Sequence, residues 1–350
     1  MIFREATPED GAAMLELIES HPSKGALKLV YTRRENPYYS YMADCPHAEM
    51  TLAADDNNII HALMVCLPRQ MYINGELRTV GYVTGLHKRE GSRVNLIRLF
   101  DYALRKSKGE LFFCSLLEEN GEVLNMLQKR HSRVPYLYPL CEYKTFMLGC
   151  KGGRGAGHSH AFRKAERDDE IPLIEFFNAY GRGHSFFPKI SSLEGFCGLK
   201  TEDYYLMLEK GKIIAAAAVW NQQAYKQYIA LDYSGLYSVL QKLGLVLSAL
   251  GYPKIPTKGS AVNFAYISFF AVNGDDEAVS AAFLAELMAA SAVRWDTLCI
   301  GAALGSVIEG ILSKKRSISF GSRLCLLDPA QNGSALNKGE GLPFFECGLL

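Results

Sequence analysis

Between positions 88 and 93 the chain reads Lys88-Arg89-Glu90-Gly91-Ser92-Arg93, three cations against one carboxylate around a glycine. A helix-periodic apolar stretch, 94–104, follows it. A basic loop that opens a helix suits a phosphate group. The unpaired N–H groups of the first turn point at the anion, and the side chains add charge. The same composition also suits a solvated basic turn before a surface helix. Just upstream stands His87, whose imidazole ordinarily titrates near neutrality and can take up or deliver a proton. A histidine beside a basic loop is equally well an ordinary surface residue. A second loop before a helix, Val272-Asn273-Gly274-Asp275-Asp276-Glu277, carries three adjacent carboxylates and no cation. These complement a helix N-terminus by themselves and would repel a pyrophosphate.

Other chemistries find little support. The chain contains no H-E-x-x-H, no G-x-x-x-x-G-K-[ST] and no G-x-S-x-G. His158 and His160 lack a third ligand nearby in sequence, so no metal is expected. The nine cysteines include no C-x-x-C pair. Cys66, Cys114, Cys299 and Cys325 sit inside apolar strand-like runs, where a reduced thiol behaves as a small core hydrophobe.

The elements that must position these groups come in two copies. Phe3-Arg4-Glu5-Ala6-Thr7-Pro8-Glu9-Asp10 is echoed by Phe162-Arg163-Lys164-Ala165-Glu166-Arg167-Asp168-Asp169. Each reads as a short strand feeding an amphipathic helix. In the first, Thr7 can cap the helix and Pro8 fits its first position. Met14, Leu17 and Ile18 form the apolar stripe there, and Leu173, Ile174, Phe176 and Phe177 form a broader one in the second. The stretch 51–65 is echoed by 204–219: an apolar strand, a polar turn, then Ile59-Ile60 or Ile213-Ile214. That pattern predicts a β-hairpin in both places. Gly81-Tyr82-Val83 and Ala265-Tyr266-Ile267 open further strands. Helices follow at 94–104 and 278–290, strands at 111–117 and 298–302, and short helices at 123–127 and 307–312. The offset between copies grows from about 154–159 to about 184–185, so copy two carries roughly thirty extra residues, placed at 225–256 with a helix over 236–250. The glycine-rich run 151–160 reads as a linker between domains 1–150 and 161–350.

In this element order, and in the Met71-Tyr72-Ile73-Asn74-Gly75-Glu76 hairpin, each copy resembles the GNAT superfamily of N-acyltransferases. Asn74-Gly75 is the pair that a tight turn with positive φ demands. The resemblance covers 2–148 directly and 162–350 mainly through the repeat. It implies an α/β fold with two GNAT-like acyl-CoA N-acyltransferase domains in tandem, each a mixed, mostly antiparallel sheet flanked by helices. It implies an acyl-CoA cosubstrate, acetyl-CoA or another acyl-CoA, whose pyrophosphate lies on a Q/R-x-x-G-x-G/A loop after the fourth strand. Lys88 takes the first place of that pattern and Gly91 the fourth. Arg93 stands where glycine or alanine is usual, so it either obstructs the phosphates or contacts them. Lys88, Arg89, Glu90, Gly91, Ser92 and Arg93 are thus the candidate cofactor loop, and the acidic loop of copy two is expected to have lost this role.

By the same resemblance, backbone groups of Gly85, Leu86 and His87 would meet the thioester. Asn120 would meet the pantetheine arm or cap the helix after it. The family's usual acid is a tyrosine in the helix after the fifth strand, and Val123-Leu124-Asn125-Met126-Leu127-Gln128 has none. Tyr136, Tyr138 and Tyr143 on the next strand are candidate substitutes, while His87, Glu118 and Glu119 are candidate bases. Tyr38, Tyr39 and Tyr41 fall where the acceptor side is usually lined, or else pack a helix against the sheet.

Composition bounds the partners. A chain of 350 residues with 49% hydrophobic and 21% charged residues has the bulk of two globular domains. A formal net charge of +1 argues against a nucleic-acid partner, and Lys314-Lys315-Arg316 is too short to change that. No apolar run is long enough to span a membrane, and the amino terminus is unlike a secretory signal, so a cytoplasmic setting is expected. The leading expectation is an N-acyltransferase, foremost an acetyltransferase that moves an acyl group from acetyl-CoA to a small-molecule or peptide amine. The alternatives are a catalytically inactive acyl-CoA-binding or interaction module, and an aminoacyl-tRNA-dependent transferase with a doubled fold.

Overall fold

The computed structural model describes residues 1–23, 27–117, 136–150, 160–233, 244, 251–328 and 341–350. The first half contributes β1 (Ile2–Glu5), α1 (Gly11–Glu19), β2 (Leu27–Thr32), α2 (Pro37–Asp44), β3 (Glu49–Ala54), β4 (Ile60–Ile73), β5 (Glu76–Lys88), α3 (Leu96–Lys106), β6 (Leu111–Leu117) and β7 (Tyr136–Gly149). The second contributes β8 (Ala161–Lys164), α4 (Glu170–Gly183), β9 (Tyr204–Glu209), β10 (Lys212–Trp220), β11 (Gln227–Tyr233), β12 (Phe264–Val272), α5 (Glu277–Ser291), β13 (Thr297–Ala303), α6 (Val307–Ser313) and β14 (Ser317–Asp328).

The echoes in sequence are echoes in structure. In the first copy the Arg4 guanidinium grips Asp10 with two bonds of 2.7 Å, and Asp10 also accepts from the Thr7 N–H at 2.8 Å. Arg163 grips Asp169 at 2.5 and 2.8 Å, and Asp169 accepts from the Glu166 N–H at 2.8 Å. The same ion pair therefore ties the opening strand to the first helix in both copies. Both hairpin turns hold two residues at positive φ: Asn74 (φ 53°) with Gly75 (φ 83°), the pair such a turn favours, and Lys210 (φ 49°) with Gly211 (φ 79°).

Twelve strands form one sheet in the order β1-β3-β4-β5-β6-β14-β7-β13-β12-β10-β9-β8. The order is palindromic: β1, β3, β4, β5 and β6 on one side match β8, β9, β10, β12 and β13 on the other. At the centre the last strands cross over. β14 pairs antiparallel with β6, and β7 pairs antiparallel with β13. The stretch 225–256, expected as the insertion of copy two, contains β11, which pairs with β2 of the first half in a separate two-stranded ribbon. The helix expected over 236–250 falls almost wholly outside the described residues.

One face of the sheet carries a core shared by both halves, with Met14, Leu17, Tyr41 and Leu63 joined to Phe177, Trp220 and Phe269. The opposite face carries two separate cores. Leu99, Phe100 and Leu104 of α3 pack on Met64, Cys66, Phe112 and Cys114. Phe283, Leu284 and Leu287 of α5 pack on Ile267, Leu298 and Ile300. Each such fully buried side chain contributes about 1.5–3 kcal/mol of transfer free energy. Among the described residues no helix is long and apolar enough to cross a membrane.

Candidate functional site

The site grows out of a defect in β5. Leu63 of β4 lies opposite His87, yet Val65 lies opposite Thr84, so β5 holds one residue too many between these pairs. The extra residue is absorbed as a bulge at Gly85, whose φ of +58° suits glycine. A Cβ on Gly85 would stand 2.6 Å from the Tyr41 hydroxyl and 3.1 Å from Val65. The parallel pairing of β5 with β6 ends at Val83 and Cys114, although β5 runs on to Lys88 and β6 to Leu117. Beyond that point the two strands part. The opening has backbone groups of the bulge on one wall and the candidate basic loop at its rim.

In that loop the Ser92 N–H donates to the Arg89 carbonyl at 3.1 Å, closing a turn with Gly91 at φ +71°. A side chain at Gly91 would meet nothing within 4 Å, so the backbone there is open to approach. Arg93 is exposed and Lys88 is half-buried. Arg89 is committed elsewhere: its guanidinium donates to Glu16 at 2.9 Å and to the Ile60 carbonyl at 3.2 Å. A cleft of about 400 Å³ lies between α1 and the loop, lined by Glu16, Leu17, Ser20, His21, Arg89 and Glu90. The His87 ring stands 5.6 Å from that of His21. Burial, helped by the charges of His21 and Arg33, pushes the His87 imidazole down to about 4, so it is neutral at pH 7.

The tyrosine candidates separate along β7. Tyr136 and Tyr138 lie opposite Asp328 and Leu326 of β14, level with the start of β6 and remote from the opening at its far end. Tyr143 is level with that far end, but it belongs to the other half. It is 1% exposed, its hydroxyl donates to the Phe345 carbonyl at 2.8 Å, and its ring covers Gly301 of β13. Burial raises its phenol well above the usual value. Glu118, Glu119 and Asn120 lie outside the described residues, as does the helix expected after them.

The second half repeats the defect and fills it. β12 and β13 stop pairing at Tyr266 and Cys299, and β12 bulges between Ser268 and Ala271, with Phe269 at φ +54°. Here the Phe269 N–H donates to the Glu346 carboxylate at 2.5 Å, and the Gly348 N–H donates to it at 2.9 Å. The segment 345–349 thus occupies the opening between β12 and β13, and Phe345 and Cys347 are buried in the core. Burial pushes the Glu346 carboxyl up to about 7, although the two N–H donors pull it down. The acidic loop is spoken for as well. Asp275 accepts from Tyr180 at 2.9 Å and pairs with His184 at 3.0 Å, Asp276 caps α5 at Val279, and Glu277 pairs with Lys314.

Sequence reasoning missed the largest charged feature. Asp44 at the end of α2 is 1% exposed and pairs with Arg33 at 2.8 Å, Arg69 at 3.6 Å and Lys226 at 3.9 Å. Arg33 lies 3.8 Å over the Tyr41 ring, and so borders the Gly85 bulge. Arg33 and Lys226 are nearly two hundred positions apart in sequence, and no local pattern links them. Among the described residues no three His, Cys, Asp or Glu side chains converge as a metal site would require.

This arrangement has the fold of GNAT-like N-acyltransferases of known structure. No family model and no curated protein matches the sequence. Solved structures do match. The N-myristoyltransferase of Saccharomyces cerevisiae with bound myristoyl-CoA is similar at a TM-score of 0.59 and 10% identity, over 93% of this chain and 79% of that one. A GCN5-related N-acetyltransferase from Anabaena variabilis is similar at 0.52 and 8%, over 93% of this chain and 72% of that one. A probable N-acyltransferase from Enterococcus faecalis is similar at 0.50 and 8%, with the same coverage.

Proposed function

We propose that the protein is an N-acyltransferase that takes an acyl group from acyl-CoA at the opening between β5 and β6 and passes it to an amine. The observation that carries this reading is the Gly85 bulge, where a strand edge no longer paired with β6 leads to a basic, sterically open loop. The domain division is 1–150 and 161–350, with the last strands exchanged. Lys88, Arg93 and the N–H group of Gly91 would hold the pyrophosphate. Backbone N–H groups at Gly85, Leu86 and His87 would stabilise the oxyanion formed as the amine attacks the thioester carbon. The new C–N bond forms, the C–S bond breaks, and the thiolate leaves as CoA while the amine loses a proton. Acetyl-CoA is the first donor to test. A longer acyl-CoA is the alternative, because the yeast neighbour was solved with myristoyl-CoA.

Release of CoA in the presence of a panel of amines tests the proposal. Turnover with at least one supports it, and binding without turnover would leave an acyl-CoA-binding module. In calorimetric titrations Lys88→Glu should weaken acetyl-CoA binding about ten- to hundredfold, the worth of one charged hydrogen bond. Asp275→Ala should leave it unchanged, and equal effects would contradict the assignment to the first half.

His87 is proposed as the proton acceptor. With its imidazole held at about 4, kcat at saturating acceptor should stay level from pH 8 to 6 and fall only near pH 4. A limb near pH 7 that persists in His87→Gln would assign the base elsewhere.

A further inference from the structure

Arg33, Asp44, Arg69 and Lys226 meet in the interior where the two halves join, with side chains 2%, 1%, 8% and 4% exposed. By side chain, three cations face one carboxylate. Arg33 uses its donors on the Tyr31 hydroxyl (2.5 Å), Ser40 (3.0 Å) and Asp44 (2.8 Å). Lys226 donates to the Leu350 and Gly348 oxygens at 2.9 and 3.4 Å. Arg69 is different. One of its terminal nitrogens donates to the Asp44 carbonyl at 2.5 Å, while Nη1 is buried without an acceptor. Asp44 Oδ1, Gln222 Oε1 and the Tyr225 hydroxyl are also buried without hydrogen-bond partners. Glu346 makes no ion pair with these cations and instead takes the Phe269 and Gly348 N–H groups.

Burying cations in excess of their counter-charges is costly, and an unsatisfied guanidinium donor adds to the cost. A structural ion pair would need only one of these cations. The surplus lies beside the first opening: Arg33 covers Tyr41, whose hydroxyl abuts Gly85. Tyr31 of β2 and Tyr228 of β11, with ring centres 5.3 Å apart, cover the same place from the ribbon that joins the halves. A buried guanidinium nitrogen without an acceptor suits an oxygen of a carboxylate.

We infer that Arg69, with Arg33 and Lys226, forms a subsite for a carboxylate on the acceptor, so that the amine acylated is amino-acid-like. This rests on the acyl-transfer reading above. The test is a calorimetric titration of wild-type protein, with and without CoA, using the standard amino acids and, for each that binds, the amine lacking its carboxylate. At least one amino acid should bind, with its amine counterpart about ten- to hundredfold weaker. Arg69→Gln should reduce the amino acid to the level of the amine. Wild-type crystals soaked in sodium bromide should show an anomalous scatterer against Arg69, which keeps the inference testable if the variant does not fold. Equal binding of acid and amine, binding of neither, or no bromide at Arg69 overturns it. CoA binding without carboxylate binding refutes this subsite alone. Carboxylate binding without CoA binding refutes the acyl-transfer reading instead.

Discussion

Asp44→Ala should cost the folded chain about 3–5 kcal/mol, because it leaves Arg33, Arg69 and Lys226 buried without the carboxylate they share. Burial alone would raise the Asp44 carboxyl, but Lys226, Arg33 and Arg69 outweigh it and hold it below the usual range. A depressed carboxyl contributes stability above its unfolded value and loses it as pH falls through the folded one. The wild type should therefore lose this contribution only in acid, and Asp44→Ala should lack it at every pH. Arg33, in turn, is held charged by Asp44 despite its burial. Lys226, which burial pushes down to about 8, needs Asp44 to remain protonated near neutrality. Denaturant unfolding at pH 7 measures the loss. A loss below about 1 kcal/mol would mean that the cluster is solvated and contributes no more than a surface pair.

Gly85→Ala should lower kcat/KM by about a hundredfold or more while leaving the chain folded. A non-glycine residue at positive φ costs about 1–2 kcal/mol, which a chain of this size can absorb. The second half illustrates this, since Phe269 holds φ +54° at the matching bulge. The damage would be local. The new methyl would stand 2.6 Å from the Tyr41 hydroxyl and 3.1 Å from Val65, so either Tyr41 or the bulge must move. Loss of one oxyanion donor costs about 10²–10³ in kcat in other enzymes. Steady-state kinetics with a thermal melt separates the outcomes. A fall of less than tenfold in a folded variant would remove the bulge from the chemistry.

How far the sequence reveals this structure depends on how far apart the cooperating residues lie. The hairpin at Asn74-Gly75 and the paired openings at Phe3 and Phe162 are local, and turn chemistry and periodicity expose them. The contrast between the basic loop at Lys88 and the acidic loop at Asp275 is also legible, since charge needs no tertiary context. The reach of Arg4 to Asp10 and of Arg163 to Asp169 is written six residues apart, but its meaning appears only when the strand and helix are seen together. Other features depend on long-range pairing that no window of sequence contains. The exchange of β7 and β14, the β2–β11 ribbon and the Arg33–Asp44–Arg69–Lys226 cluster are of this kind. So is the filling of the second opening by Glu346, which turns two similar bulges into unlike sites. Among the candidate residues, Tyr143 reads as a substitute acid by proximity in sequence, but its strand is paired into the other half.

Of the two matched openings, the first alone should receive the acyl donor. A crystal soaked with acetyl-CoA tests it most directly. The thioester should lie between β5 and β6, with its carbonyl at the Gly85 bulge and the pyrophosphate against Lys88 and Gly91. Density between β12 and β13 with Glu346 displaced, or no cofactor in either opening, would contradict it.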